Sequence, residues 1–248
     1  MDKSVITLSK NFLLELFFPS FCLGCNKENV LLCGDCRATC EISEYTYCLC
    51  NKNPLRLPAQ AGLPSGGKCQ RCQDKKLSGL YFALPYKEKF LTKKLIYHFK
   101  YRHLKTLSKS LAEMLGEHFV VTKNNIEVIW ENSILIPVPM EIKKMKHRGY
   151  NQAEELAKEL ASIVKIPVVL GNLTKIRATL PQMELSAKER QENLKNAFFV
   201  ENPVELNNKK IFLVDDVYTT GSTMEECARV LKDAGVKQVW GIAFAREG

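Results

Sequence analysis

The sequence predicts an α/β protein, a parallel sheet flanked by helices and preceded by a small cysteine-rich module. Three observations carry that prediction. Nine of the ten cysteines fall within residues 22–72. From residue 133 to residue 245, short continuous apolar runs alternate with stretches of helical periodicity, the pattern of a doubly wound sheet. Finally, the apolar run Ile211–Val214 leads directly into Asp215 and Asp216, then into a hydroxyl-rich turn around Gly221. A strand that ends in such a turn and opens a helix presents backbone N–H groups to an anion.

The chain of 248 residues, 46% hydrophobic and 25% charged, has room for one large domain and a small module. The division is expected at 78/79, with an N-terminal helix and cysteine module in 1–78 and the sheet domain in 79–248. Phe12, Leu13, Leu16 and Phe17 make one helical face, but Asn11 and Glu15 interrupt the run, which is too short for a signal peptide. No stretch of 18 or more apolar residues exists, so no membrane span is expected and the location expected is cytoplasmic.

The cysteines form the pairs Cys22–Cys25, Cys33–Cys36, Cys48–Cys50 and Cys69–Cys72, with Cys40 left over. In a chain expected to stay in the cytoplasm, such pairs point to tetrahedral zinc rather than to disulfides. Pairing neighbours gives one Zn²⁺ on Cys22, Cys25, Cys33 and Cys36 and a second on Cys48, Cys50, Cys69 and Cys72. Asn26 and Asn51 follow the second cysteine of their pairs, where a positive φ is often needed and Asn tolerates it. The arrangement resembles a double zinc ribbon. Its second half departs from the pattern, because Cys48-Leu49-Cys50 is one residue short and a Pro- and Gly-rich stretch, 53–67, separates its two pairs. A redox role for one Cys-x-x-Cys is the alternative, although no βαβ context surrounds the pairs.

Beyond residue 80 the composition changes to aromatic and basic. Phe82–Tyr86 reads as a short strand. Phe90–Lys100 reads as a helix burying Leu91, Leu95, Ile96 and Phe99, and Leu104–Phe119 has helical periodicity. Ser133–Val138, ended by prolines, reads as a buried strand. Tyr150–Val164 is amphipathic, with Ala153, Leu156, Ala157 and Leu160 inward and Asn151 a suitable N-cap. Ile211–Val214 is a buried strand and Ser222–Ala234 a helix with Met224, Cys227, Ala228 and Leu231 on one face. Gln238–Ala245 closes the sheet.

The turn after Val214 carries the chemistry. Asp215 and Asp216 can accept hydrogen bonds from sugar hydroxyls. Gly221 lets the backbone approach a phosphate closely, and Ser222 or Thr223 can cap the helix. An ordinary α/β turn with an N-cap is the plain alternative, and a Walker loop fits poorly because no Lys follows Gly221. All thirteen positions of 211–223 resemble the signature of the type I phosphoribosyltransferases, with one departure at Tyr218, where that family usually has an aliphatic residue. The resemblance implies a phosphoribosyltransferase-like sheet that binds 5-phosphoribosyl-1-pyrophosphate. Asp215 and Asp216 would be the catalytic carboxylates on the ribose hydroxyls, and Thr219, Thr220, Gly221, Ser222 and Thr223 would wrap the 5′-phosphate. Mg²⁺ would accompany the diphosphate, since it favours substrate phosphates over an all-protein cage.

Ile136-Pro137-Val138-Pro139, then Arg148-Gly149-Tyr150-Asn151-Gln152-Ala153, and the spacing of Arg177, Thr179, Gln182, Leu185, Arg190, Asn193, Ala197 and Phe198 resemble the ComF or GntX-type competence proteins. In that family a zinc module precedes a phosphoribosyltransferase-like domain. The resemblance makes Arg148 and Gln152 candidates for the pyrophosphate end, assisted by Lys144 or Lys146. It also makes Thr179–Asn193 a lid that brings Arg177 and Arg190 over the leaving group. On residues alone, Arg148–Gln152 is equally a polar turn capping a helix.

The net charge is +9, and 87–109 holds eight Lys or Arg against one acid. Such clusters suit polyanions, or they form a solvated helix face. With Phe90, Tyr97, Phe99 and Tyr101 interleaved, the segment has the composition of a single-strand binder, with Lys93, Lys94 and Lys100 as the expected phosphate contacts and Phe99 expected in the core. The competence resemblance implies handling of incoming single-stranded DNA during uptake, with competence and recombination proteins as partners. No motif names an acceptor. Three functions therefore stand: a competence protein binding the sugar diphosphate, a non-catalytic nucleic-acid binder on the same fold, or a phosphoribosyltransferase of nucleotide metabolism.

Overall fold

The structure is a computed structural model that describes residues 19–43, 49, 72–86, 90–102, 104–122, 130–179 and 187–247. The Phe12–Phe17 face, Cys48, Cys50, Asn51, Cys69, Gln182 and Leu185 lie outside the described residues. In chain order the elements are α1 (Gly34–Ala38), β1 (Leu80–Pro85), α2 (Phe90–Tyr101), α3 (Leu107–Val121), β2 (Ser133–Pro137), α4 (Ile142–Arg148) and α5 (Gln152–Val164). They continue with β3 (Leu173–Lys175), α6 (Ala187–Leu194), β4 (Phe198–Val200), a 3₁₀ turn (Pro203–Leu206), β5 (Lys210–Tyr218), α7 (Ser222–Asp233) and β6 (Gln238–Arg246).

Four strands form one parallel sheet in the order β1-β6-β5-β2. The continuous apolar runs arise because both faces of this sheet are covered. Phe212, Val214, Ile242 and Phe244 face α2, α3 and α5, meeting Leu95, Phe99, Leu111 and Leu156. Ile211, Leu213, Val239 and Ala243 face the other way, onto Met224, Cys227, Ala228 and Leu231 of α7. The helical faces named from periodicity on α5 and α7 are therefore the buried ones. No period-2 run announces β3 and β4, which pair antiparallel over three residues each.

The strand that bears the acids is longer than its apolar run. β5 continues four residues past Val214, because Val217 and Tyr218 stay in register with Ala245 and Arg246 of β6. Asp215 and Asp216 are thus held inside a paired strand rather than in the turn. Sheet pairing outlasts the hydrophobic pattern here, and the carboxylates gain a rigid mount.

The cysteine segment shares the core of the sheet. Leu23, Leu32 and Cys40 belong to the cluster formed around Phe99, Leu111 and Phe212. Ser43 N donates to Ala83 O of β1 at 2.8 Å. Buried His118 on α3 lies with Nδ1 2.6 Å from Ser43 O, and since a carbonyl only accepts, Nδ1 carries the proton. Arg37 of α1 forks onto Glu113, at 2.6 Å, and Glu117 of α3. Among the described residues no helix is long and apolar enough to cross a membrane.

Candidate functional site

Two strand ends meet at the same edge of the sheet: β2 finishes at Pro137 beside Val214 of β5, and the acids follow immediately. In open α/β sheets, ligands bind in the crevice beyond such carboxyl ends. Asp216 is buried and Asp215 partly so. Asp215 Oδ1 accepts from Asp216 N–H at 2.8 Å. Burial and then the charge of Asp216 push the Asp215 carboxyl up to about 7, against the pull of Lys100.

The loop then turns through Gly221 at φ +77°, which is the N-cap of α7. A Cβ there would collide with the Tyr218 hydroxyl, so both backbone and space demand glycine. Neither Ser222 nor Thr223 is the cap, contrary to the expectation from sequence: both lie inside the helix, and the glycine takes the capping position. Thr220 and Ser222 instead hydrogen-bond each other at 2.8 Å. Tyr218, the departure from the signature, is buried beneath Gly221, with its hydroxyl 3.5 Å from Leu49 O.

The motif at 148–152 forms the helix cap that its residues suggest. Gly149, at φ +78°, ends α4. Asn151 caps α5 by accepting from Ala153 N–H at 3.1 Å, and its Nδ2 donates to Val138 O at 3.1 Å, fastening the helix to the end of β2. Arg148 donates to Gln152 Oε1 at 3.1 Å and lies 5.0 Å over the Tyr101 ring. Buried Gln152 reaches Phe99 O at 3.5 Å, and the Tyr150 hydroxyl donates to the same carbonyl.

That network pins the last turn of α2 against the acids. Lys100 Nζ stands 2.8 Å from Asp216 Oδ1. Burial opposes the charge on Lys100, but Asp216 outweighs it and the pKa is raised. Sequence reasoning placed Lys100 with Lys93 and Lys94 as a phosphate contact for DNA; the structure turns it inward to the carboxylates. The signal was available, because Lys100 follows buried Ile96 by four residues and so shares its helix face.

Arg177 donates to Asn193 O at 2.9 Å and Lys195 O at 2.8 Å, tying together the two ends of the 179–193 segment. Lys175 donates to Thr179 Oγ1 at 2.8 Å. Arg190 lies on α6, and its side chain is outside the described residues. Lys143, Lys144 and Lys146 are exposed on α4.

A second constellation lies in the N-terminal segment. The sulfurs of Cys22, Cys25, Cys33 and Cys36 all lie within 4.8 Å of one another, and those of Cys25 and Cys33 are 3.6 Å apart. Tetrahedral Zn–S bonds of about 2.3 Å require S···S separations of about 3.8 Å, so the four thiols fit a zinc ion. Cys33 N–H points to Cys22 Sγ at 3.3 Å and Cys36 N–H to Cys33 Sγ at 3.4 Å. Burial works against a Cys22 thiolate, but N–H groups of Cys25, Cys33 and Gly24 outweigh it and bring the thiol down to about 6. Asn26 has the expected positive φ, 63°. Gly24 is required by contact, since a Cβ there would strike Cys36 Sγ. Four thiolates leave no open coordination position, so the zinc would be structural. Of the second set only Cys72, fully buried, is described. Cys227 lies in the core beneath the sheet, as its place on the helix predicts.

A parallel sheet flanked by helices, acids on a strand and a glycine turn that opens a helix, behind a four-cysteine cluster, define a phosphoribosyltransferase-type protein with a zinc-ribbon-like front end. The family model described as "Phosphoribosyl transferase domain" matches residues 147–247. The chain is 37% identical to "Competence protein F" of Haemophilus influenzae over 154 residues, 61% of this chain and 67% of that one. It is 31% identical to "DNA utilization protein YhgH" of Salmonella typhi over 84% of this chain and 95% of that one. It is 28% identical to "Competence protein ComFC" of Streptococcus pneumoniae over 98% of this chain and 96% of that one. The chain belongs to this ComF-type competence and DNA-utilization family.

Proposed function

We propose that the chain binds 5-phosphoribosyl-1-pyrophosphate through 211–223 and serves the handling of single-stranded DNA taken up in natural competence. The observation that carries the first half is the juxtaposition of the Asp215–Asp216 carboxylates with the Gly221 turn that opens α7. In this reading the carboxylates take the ribose hydroxyls, and Thr219, Thr220, Gly221, Ser222 and Thr223 surround the 5′-phosphate at the helix N-terminus. Arg148 and Gln152 line the pyrophosphate side, Arg177 and Arg190 belong to the segment that closes over it, and Mg²⁺ enters with the diphosphate. Residues 1–78 are the metal-stabilised module and 79–248 the sugar-phosphate domain, acting in the cytoplasm. Were the site to turn over, the C1′–O bond to pyrophosphate would break and an acceptor would take its place. Calorimetric titration tests the site: Asp215→Ala with Asp216→Ala should weaken binding at least ~100-fold, the loss of two buried charge-assisted hydrogen bonds. Equal affinity in the double variant would refute the assignment.

The DNA half rests on the surface that adjoins this site at Arg148. Tyr97 and Tyr101 are 48% and 50% exposed, with ring centroids 5.4 Å apart and Arg148 over the second ring. An exposed aromatic pair on a basic helix is a stacking platform for bases. Single-strand binding should fall steeply with salt, and removing the charges of Lys93 and Lys94 should flatten that slope by about 0.7 for each phosphate no longer neutralised. Salt-independent binding, or none, would overturn it.

A further inference from the structure

We propose that Lys100 is a specificity residue of the sugar-phosphate site, the cation that favours a ribose carrying an anomeric diphosphate over one carrying only the 5′-phosphate. The inference rests on the reading of Asp215 and Asp216 as the ribose-hydroxyl acceptors. Lys100 reaches the site from α2, an element outside the strand-loop-helix signature, and is fixed there from two sides. Its ammonium is 2.8 Å from Asp216 Oδ1, and the neighbouring backbone carbonyl, Phe99 O, is held by Tyr150 and Gln152. Arg148 is close enough that its charge acts against that of Lys100. Lys100 and Arg148 together place two positive charges beside the carboxylate pair, so an anion within reach of both is favoured there.

Ring chemistry says which anion fits. The hydroxyls that Asp215 and Asp216 would accept sit on C2′ and C3′, and the oxygen on C1′ is the immediate neighbour of the 2′-hydroxyl. A cation already in contact with the carboxylate that receives the diol therefore stands beside the anomeric substituent. The 5′-phosphate, at the other end of the sugar, belongs to the Gly221 turn. An ammonium has three donors; one serves Asp216 and the others can serve an α-phosphate oxygen. Lys100 would thus act on the difference between the two ligands, while Asp216 and the turn act on both.

The test compares Lys100→Gln, which keeps a donor to Asp216 but loses the charge, with Lys100→Met, which loses both. Each full-length variant and the parent chain is titrated with 5-phosphoribosyl-1-pyrophosphate and with ribose 5-phosphate in the presence of Mg²⁺. The expected result is that the ratio of the two affinities falls about tenfold or more in both variants, with ribose 5-phosphate affinity in Lys100→Gln kept within about threefold. Equal losses for both ligands, or no change, would overturn the proposal and leave Lys100 as a counter-ion for Asp216. Binding of neither sugar phosphate by the parent chain would instead refute the site reading on which it rests.

Discussion

Replacing Cys22 and Cys36 together with Ser should strip the first cluster of its metal and lower the thermal midpoint by more than about 10 °C. Structural zinc contributes on the order of 10 kcal/mol to the folding of small modules, and a loss of even about 5 kcal/mol shifts a chain of this size by at least about 10 °C. The damage should spread beyond the module. Leu23, Leu32 and Cys40 are in the same apolar cluster as Phe99 and Leu111, so their release opens the helical face of the sheet. Metal analysis and calorimetry on the full chain check this. The parent chain should return one zinc for the first set, with a second reporting the Cys48, Cys50, Cys69 and Cys72 set. Parent protein free of zinc, or a double variant with unchanged metal content and midpoint, would refute the assignment.

Asp215→Asn should stabilise the protein while weakening the sugar-phosphate site by about tenfold or more. The carboxyl is raised to about 7 by burial and by Asp216, above an unfolded value near 3.8. The folded state therefore binds more protons between these values. Its contribution is present below about pH 4 and is lost as pH rises toward 7. At pH 8 the charge on Asp215 costs at most about 4 kcal/mol, less what solvent screens. Asn keeps the acceptor for Asp216 N–H without the charge. Melting at pH 5 and pH 8 should show a clearly larger advantage of the variant at the higher pH, the usual trade of stability against a functional site. A variant less stable than the parent at pH 8 would defeat the argument.

The legible parts of this chain were those written in local pattern. The buried faces of α5 and α7, the run at β2 and the Asn151 cap follow from spacing, because each is decided within one turn or one strand. The four-thiol cluster of Cys22, Cys25, Cys33 and Cys36 follows from spacing as well. What escaped depends on distant pairing. β5 runs through both acids because β6 stays hydrogen-bonded beside it, and no local signal marks that. Lys100 read as one more surface cation until α2 was laid against Asp216. Arg177 donates to carbonyls sixteen and eighteen residues ahead, a pairing that no local pattern marks. The Gly221 turn was visible, but its helix cap was assigned to the wrong residues because an αL glycine replaces a side-chain cap without altering the composition.

The place of β6 in the sheet has a consequence for synthesis. It lies between β1 and β5, so β1, more than 150 residues earlier, finds its sheet partner in a strand made long after it. While the chain emerges from the ribosome, the cysteine-rich front and β1 must wait with an unpaired strand edge. The helices α2 and α3 can form early, yet they have no finished sheet to cover. Folding of so non-local a sheet is slow and exposes apolar surface in the interval. Loss of residues 238–248 would therefore remove a central strand rather than trim an end, leaving β1 alone on one side and the β5–β2 pair on the other.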